Sequence, residues 1–194
     1  MYYPPQHYII LCIDPGTDTL GVGVLGLDLS DMSLHVHEAW TVHASSRVDP
    51  LSIDCLHGNR QARLKALGQT LAAVLERVRP HAVISEAPFL GRFPQSFEAL
   101  VQCVNMIRQT VYNYDPALFL QTIDPPSAKK AVGAVVSGPD KKESVRQAIL
   151  RLPLYCYPGV NLEYLDEHTI DALAVGIYLA QQIRSTYGAT TRAW

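Results

Sequence analysis

A chain of 194 residues fits one α/β domain and can bury a core without disulfide or metal staples. Hydrophobic residues at 48% and charged residues at only 18% exclude a disordered chain. A net charge of −2 does not by itself mark a partner for polyanions, and the longest charge-free apolar stretch, Ala172 to Ala180, falls well short of the ~20 residues of a membrane helix. Met1-Tyr-Tyr-Pro-Pro carries no basic start, apolar signal core or Arg-rich transit pattern, so a cytoplasmic protein is expected. Cys12, Cys55, Cys103 and Cys156 form no Cys-x-x-Cys motif. Cys12 and Cys103 lie in apolar patterns and read as buried free thiols of a reducing compartment.

Tyr8 to Asp14 is a short apolar run bounded by Pro15-Gly16, the pattern of a buried strand. Leu20 to Leu27 reads as a second strand and Ser33 to His43 as a third, close enough to pair as an antiparallel meander. Asp49 to Asn59 reads as a loop. Leu64, Leu67, Leu71, Val74, Leu75 and Val78 then mark one face of a long helix that ends at Pro80. His81 to Glu86 is a fourth strand, stopped by Pro88. Phe97, Leu100, Val104, Ile107 and Val111 mark a second long helix, and Leu118 to Ile123 a fifth strand. Pro125-Pro126-Ser127 opens a short helix, as proline in a first turn predicts. Glu143 to Leu150 is helical, and Ile170, Leu173, Ile177, Ala180 and Ile183 give a last amphipathic helix. The order predicts a mixed five-stranded sheet flanked by helices. Residues 1–7 and 187–194 read as short tails around a single domain, 8–186.

Asp14 ends the first strand and Glu86 the fourth. If these strands are parallel neighbours, both carboxylates emerge at one sheet edge. His168 and Asp171 are three apart and share one helix face. Taken singly, Asp14 reads as a turn former, Glu86 as a surface residue and Asp171 as a satisfied polar residue. Together they predict a site, because an acid inside Ile170-Asp-Ala-Leu-Ala-Val is costly without a partner. Three carboxylates and an imidazole suit Mg²⁺ or Mn²⁺. Asp14-Pro-Gly-Thr also matches the Asp-x-Gly-Thr opening of phosphate-binding ATPases, but no second lobe or further phosphate loop follows. His35-x-His37 could offer a metal pair on one strand face; with no third ligand near in sequence, an exposed strand face is expected. Tyr2, Tyr3, Tyr8 and Pro4-Pro5 have no assigned role. Between Pro125 and Arg151, six basic residues (Lys129, Lys130, Lys141, Lys142, Arg146, Arg151) face only Asp140 and Glu143, a net +4 in an acidic chain.

Four segments, in this order, resemble the RuvC family of Holliday junction resolvases. They are Ile10 to Val24, Ile84-Ser-Glu-Ala-Pro-Phe89, Pro126 to Gly133 with Asp140 to Val145, and His168 to Ile177. The resemblance implies a ribonuclease-H-like fold, a homodimer and a crossover junction endodeoxyribonuclease with two divalent metals, Mg²⁺ or Mn²⁺, in each active site. It implies metal binding by Asp14, Glu86 and Asp171. His168 stands where many members have Asp and some have His, so it is expected as a ligand or a proton-transfer group; Asp166 and Glu167 are spare acids. Lys129 and Lys142 match basic positions near the scissile phosphate, with Lys130, Lys141 and Arg146 as further DNA contacts. Phe89 matches an aromatic that inserts at the junction centre, and Arg92 and Phe93 share that region. Gln95 to Tyr114 is the implied dimer helix. The expected substrate is branched DNA, in a nucleoid or, for a viral protein, the host cytoplasm. A non-catalytic junction-binding protein of the same fold is the alternative.

Overall fold

The computed structural model describes residues 3–48, 56, 58–90, 93–135 and 141–190, except the side chains of 141, 142 and 188–190. One sheet runs in the strand order β5-β4-β1-β2-β3-β6. β1 (His7–Asp14), β2 (Thr19–Asp28) and β3 (Leu34–His43) form the expected antiparallel meander. β4 (Ala82–Glu86) lies parallel to β1 on its other side, with Ile13 opposite Ser85, and β5 (Leu120–Ile123) lies parallel to β4. β1 and β4 read as continuous apolar runs because helices cover both faces of the sheet there.

The sheet has six strands rather than five. β6 (Leu154–Cys156) pairs parallel with Leu34–Val36. Three residues are too few to display a period of two, so periodicity could not reveal this strand.

α1 (Asn59–Val78) and α2 (Pro94–Tyr114) cover one face, packed with Ile9, Leu11, Ile13 and Val83. The apolar repeat of α1 is buried, and the helix stops where Arg79 turns left-handed (φ 49°, ψ 61°) and Pro80 follows. The expected loop, Asp49 to Asn59, lies largely outside the described residues, and α1 begins at Asn59. α3 (Pro125–Ala131), α4 (Lys141–Leu150) and α5 (Glu167–Thr190) cover the other face around Ile10, Cys12, Leu25 and Ile84. α5 crosses β1 and β2, which explains why nearly all of Ile170 to Ala180 is apolar. Among the described cysteines, Cys12 and Cys103 are buried free thiols and Cys156 is exposed; Cys55 lies outside the described residues. No described helix is long and apolar enough to cross a membrane.

Among the described residues, ordered elements reach beyond residues 8–186 on both sides. His7 already belongs to β1, the Tyr3 hydroxyl donates to Glu38 at 2.6 Å, and α5 continues to Thr190.

Candidate active site

β1 and β4 are parallel neighbours, so Asp14 and Glu86 emerge at the same sheet edge. α5 brings its first turns over that edge. Gly21 permits the approach: it sits opposite Asp14 in the β1–β2 ladder, and a Cβ there would overlap the His168 carbonyl. The start of α5 is fixed by Asp166, whose Oδ1 accepts from the Thr169 N–H and hydroxyl and from the Thr41 hydroxyl on β3. Asp166 is thus spent on the helix cap. Glu167, the other spare acid, lines the cleft with Asp14, Glu86, His168 and Asp171. That cleft has a volume of about 350 Å³.

His168 Nδ1 lies 3.0 Å from Asp14 Oδ2, and its Nε2 lies 3.1 Å from Thr19 Oγ1. Both ring nitrogens are therefore engaged, one with a carboxylate. This hydrogen bond favours the imidazolium and raises the His168 pKa. Lys129, on α3, places Nζ 3.4 Å from both carboxylate oxygens of Asp171. Burial raises the Asp171 pKa, and Lys129 pulls the other way.

Glu86 is the most strained of the group electrostatically. Its Oε1 is buried and has no hydrogen-bond partner. Burial first, then the charges of Asp14 and Asp171, push its pKa up to about 8, against the pull of Lys129. A buried carboxylate oxygen without a donor, facing two further acids, is what a hard cation with oxygen ligands relieves. The donor set fits Mg²⁺ or Mn²⁺. Among the described residues, the trio whose ligand atoms all lie within 4.8 Å of one another is a different one, His7, Asp28 and His35, at the far end of the sheet. The three carboxylates do not all meet that spacing, although Glu86 and Asp14 come close enough to share a hydrogen bond while Glu86 is protonated.

No protein-family model matches the chain. Over 83 residues it is 36% identical to the crossover junction endodeoxyribonuclease RuvC of Xanthomonas euvesicatoria, covering 43% of this chain and 41% of that protein. The chain thus spans less than half the length of that curated relative. RuvC of Chlamydia pneumoniae is 27% identical over 180 residues, which is 91% of this chain and 95% of that protein. The solved structure of Thermus thermophilus RuvC in complex with a Holliday junction substrate aligns with a TM-score of 0.64 at 18% identity, over 91% of this chain and 96% of that one. The fold is that of RuvC. The ribonuclease-H-like architecture expected from the motifs is the one observed, with the additional strand β6.

On this RuvC-like frame, Asp14, Glu86, His168, Asp171 and Lys129 come together. Phe89, which follows β4 at the cleft, is 56% exposed and so is not a core residue. Phe93 and Lys130 are exposed as well. Arg146 is half-buried: its Nη1 donates to the carbonyls of Leu162 and Glu163, and its Nε pairs with Glu143 at 3.7 Å. Its guanidinium ties α4 to the turn before α5, a use that a count of charges cannot reveal. Arg92 lies outside the described residues, as do the side chains of Lys141 and Lys142 at the start of α4. Glycines in the second strand predict a close backbone approach, and at Gly21 the backbone that approaches is that of His168. Sequence reasoning missed Thr19, which opens β2 two residues before Gly21, the ladder partner of Asp14.

Proposed function

We propose that the chain is a metal-dependent endonuclease that resolves four-way DNA junctions by paired phosphodiester hydrolysis. The observation that carries this reading is the buried, unpartnered Glu86 Oε1 set against Asp14 and Asp171. The names of the relatives, and the junction bound to the neighbouring structure, support the same substrate.

Asp14, Glu86 and Asp171 would hold two Mg²⁺ or Mn²⁺ ions. When bound, the ions supply activation of water and stabilisation of charge on the leaving oxygen. His168 acts through Asp14: with Nδ1 on the carboxylate and Nε2 on Thr19, it orients Asp14 and holds a proton beside the cleft. That arrangement favours proton transfer over metal ligation for His168. Lys129 offsets part of the acidic charge and faces the scissile phosphate. Lys130, Lys141, Lys142 and Arg92 give the polyanion a positive approach, and Arg146 shapes the same surface through its hold on the Leu162 and Glu163 carbonyls. Phe89 stacks on an unpaired base at the junction centre, worth ~1–3 kcal/mol. A homodimer joined through α2 presents two such sites to one junction, and the protein works in the cytoplasm, where such DNA is formed.

The test is to incubate a mobile and an immobile synthetic junction with the protein and Mg²⁺ and to map nicks on every strand. Paired, ligatable nicks on opposing strands are expected. Asp14→Asn, Glu86→Gln and Asp171→Asn should each still shift the junction in a gel yet leave it uncut. Wild-type binding without cutting would make the chain a junction-binding protein instead.

A further inference from the structure

Imidazoles that the active site does not use converge at the opposite end of the sheet. His7 opens β1, Asp28 ends β2 directly across the ladder from it, and His35 stands on β3 opposite Gly26. Asp14 lies seven residues along β1 from His7, so the two ends are separated by roughly 23 Å at ~3.3 Å per residue. One ligand atom from each of His7, Asp28 and His35 lies within 4.8 Å of the other two. The expectation that His35-x-His37 faces solvent with no third ligand is therefore corrected. His37 is 5% exposed and His7 4%, and the missing ligands come from β1 and β2.

The surroundings are built to aim these groups. Asp28 Oδ1 accepts from the Ser30 N–H and hydroxyl, which leaves Oδ2 turned to His7 Nε2 at 3.5 Å. That distance is long for an N–H···O bond, whose mode is ~2.9–3.0 Å. It is close to the roughly 3.3 Å edge between two ligands of a tetrahedral ion with bonds of ~2.0–2.1 Å. The other nitrogen of His7, Nδ1, lies 2.9 Å from His37 Nε2. This is the outer hydrogen bond that fixes the tautomer of a metal-binding imidazole. Ser33 Oγ lies 2.9 Å from His35 Nε2, and the Tyr155 ring stacks on His35 with centroids 5.0 Å apart. Space for the His7–His37 pair exists because residue 26 is glycine. A Cβ there would overlap both rings. The bulge in β3 opposite Val24 and Leu25 falls at His37 and turns that ring into the cluster.

We propose that His7, Asp28 and His35 form a second cation site, distinct from the carboxylate cleft, that takes one Zn²⁺-class ion with its fourth position open to water. Two imidazoles and one carboxylate suit Zn²⁺ and its late-transition neighbours, whereas Mg²⁺ prefers oxygen alone. The ion would clamp the ends of β1, β2 and β3 where the short β6 joins the sheet.

The test uses the full chain stripped of metal. Zn²⁺ is titrated calorimetrically, and Co²⁺ is added as a visible probe of coordination number. With Mg²⁺ in large excess to fill the carboxylate cleft, one tight Zn²⁺ per chain, a four-coordinate Co²⁺ spectrum and a rise in Tm with Zn²⁺ are expected. Asp28→Asn and His35→Gln should each weaken Zn²⁺ binding more than ~100-fold, since even outer-layer losses cost roughly 10–100-fold. Asp171→Asn, in the cleft, and Cys156→Ser, at the exposed thiol, should leave the affinity unchanged. Binding that survives Asp28→Asn and His35→Gln, or that vanishes in Asp171→Asn or Cys156→Ser, overturns the assignment. So does a six-coordinate Co²⁺ spectrum of the wild type, which needs no variant to fold.

Discussion

Replacing Glu86 by glutamine should stabilise the metal-free protein at high pH and leave it unchanged at low pH. In the folded chain the Glu86 carboxyl holds its proton up to about 8, against an ordinary 4.5. The folded state therefore binds more protons than the unfolded state between those values. Stability is fully present below about 4.5 and is lost as pH rises through about 8, after which it levels. A gap of about 3.5 pH units at 1.36 kcal/mol each sets a ceiling near 5 kcal/mol, and partial relaxation of the site places the measured loss on the order of 3–5 kcal/mol. The glutamine side chain keeps the volume and removes the titration. The assay is urea denaturation in EDTA at pH 5, 6.5 and 8.5 for both proteins. The two proteins should differ by less than about 1 kcal/mol at pH 5 and by several kcal/mol at pH 8.5, with Glu86→Gln the more stable. Saturating Mg²⁺ should close the gap, because a bound cation stabilises the ionised carboxylate that only the wild type has. Parallel stability of the two proteins across the whole range would refute the claim that Glu86 is a buried acid held against its neighbours.

Three further outcomes test neighbouring contacts. Lys129→Ala should weaken junction binding and make the log–log salt slope shallower by about one unit, read by fluorescence anisotropy across a salt series. His168→Gln should cost more stability at pH 6 than at pH 9, because the hydrogen bond to Asp14 raises the His168 pKa and its stabilisation is lost as pH rises through that value; thermal melts at the two pH values report it. Gly21→Ala should destabilise the fold by ~1–3 kcal/mol, as overpacking does, and should abolish cutting more completely than that loss explains, because the new methyl pushes His168 away from Asp14. Urea titration and a junction-cutting assay separate the two effects.

The sheet was legible where its physics is local. β1 and β4 are short apolar runs with stops after them, and the repeats of α1, α2 and α5 show their buried faces directly. β6 was not legible, because three residues that pair across more than a hundred positions leave no periodic trace. The ends of α1 were visible only on one side. Pro80 announces the stop, whereas Asn59 begins the helix with a polar turn and no capping side chain.

Of the site, the acids were visible because each breaks a pattern: Asp14 and Glu86 end apolar strands, and Asp171 interrupts an apolar helix. A group that costs free energy where it stands must be there for what it faces. The basic residues follow another logic, since charge on a helix or loop costs nothing in water and their placement is not announced. Arg146 was counted with the DNA contacts and also holds two backbone carbonyls, while Lys129 was assigned a phosphate and holds Asp171 as well. The same asymmetry hid the histidine cluster. His35 and His37 look like an ordinary strand face until antiparallel register brings Asp28 and His7 beside them, and register is set by pairing between strands rather than within one. Gly26 carried the only local hint. A glycine in the middle of a buried strand weakens it unless something must pass close by, and here the close neighbours are two imidazoles.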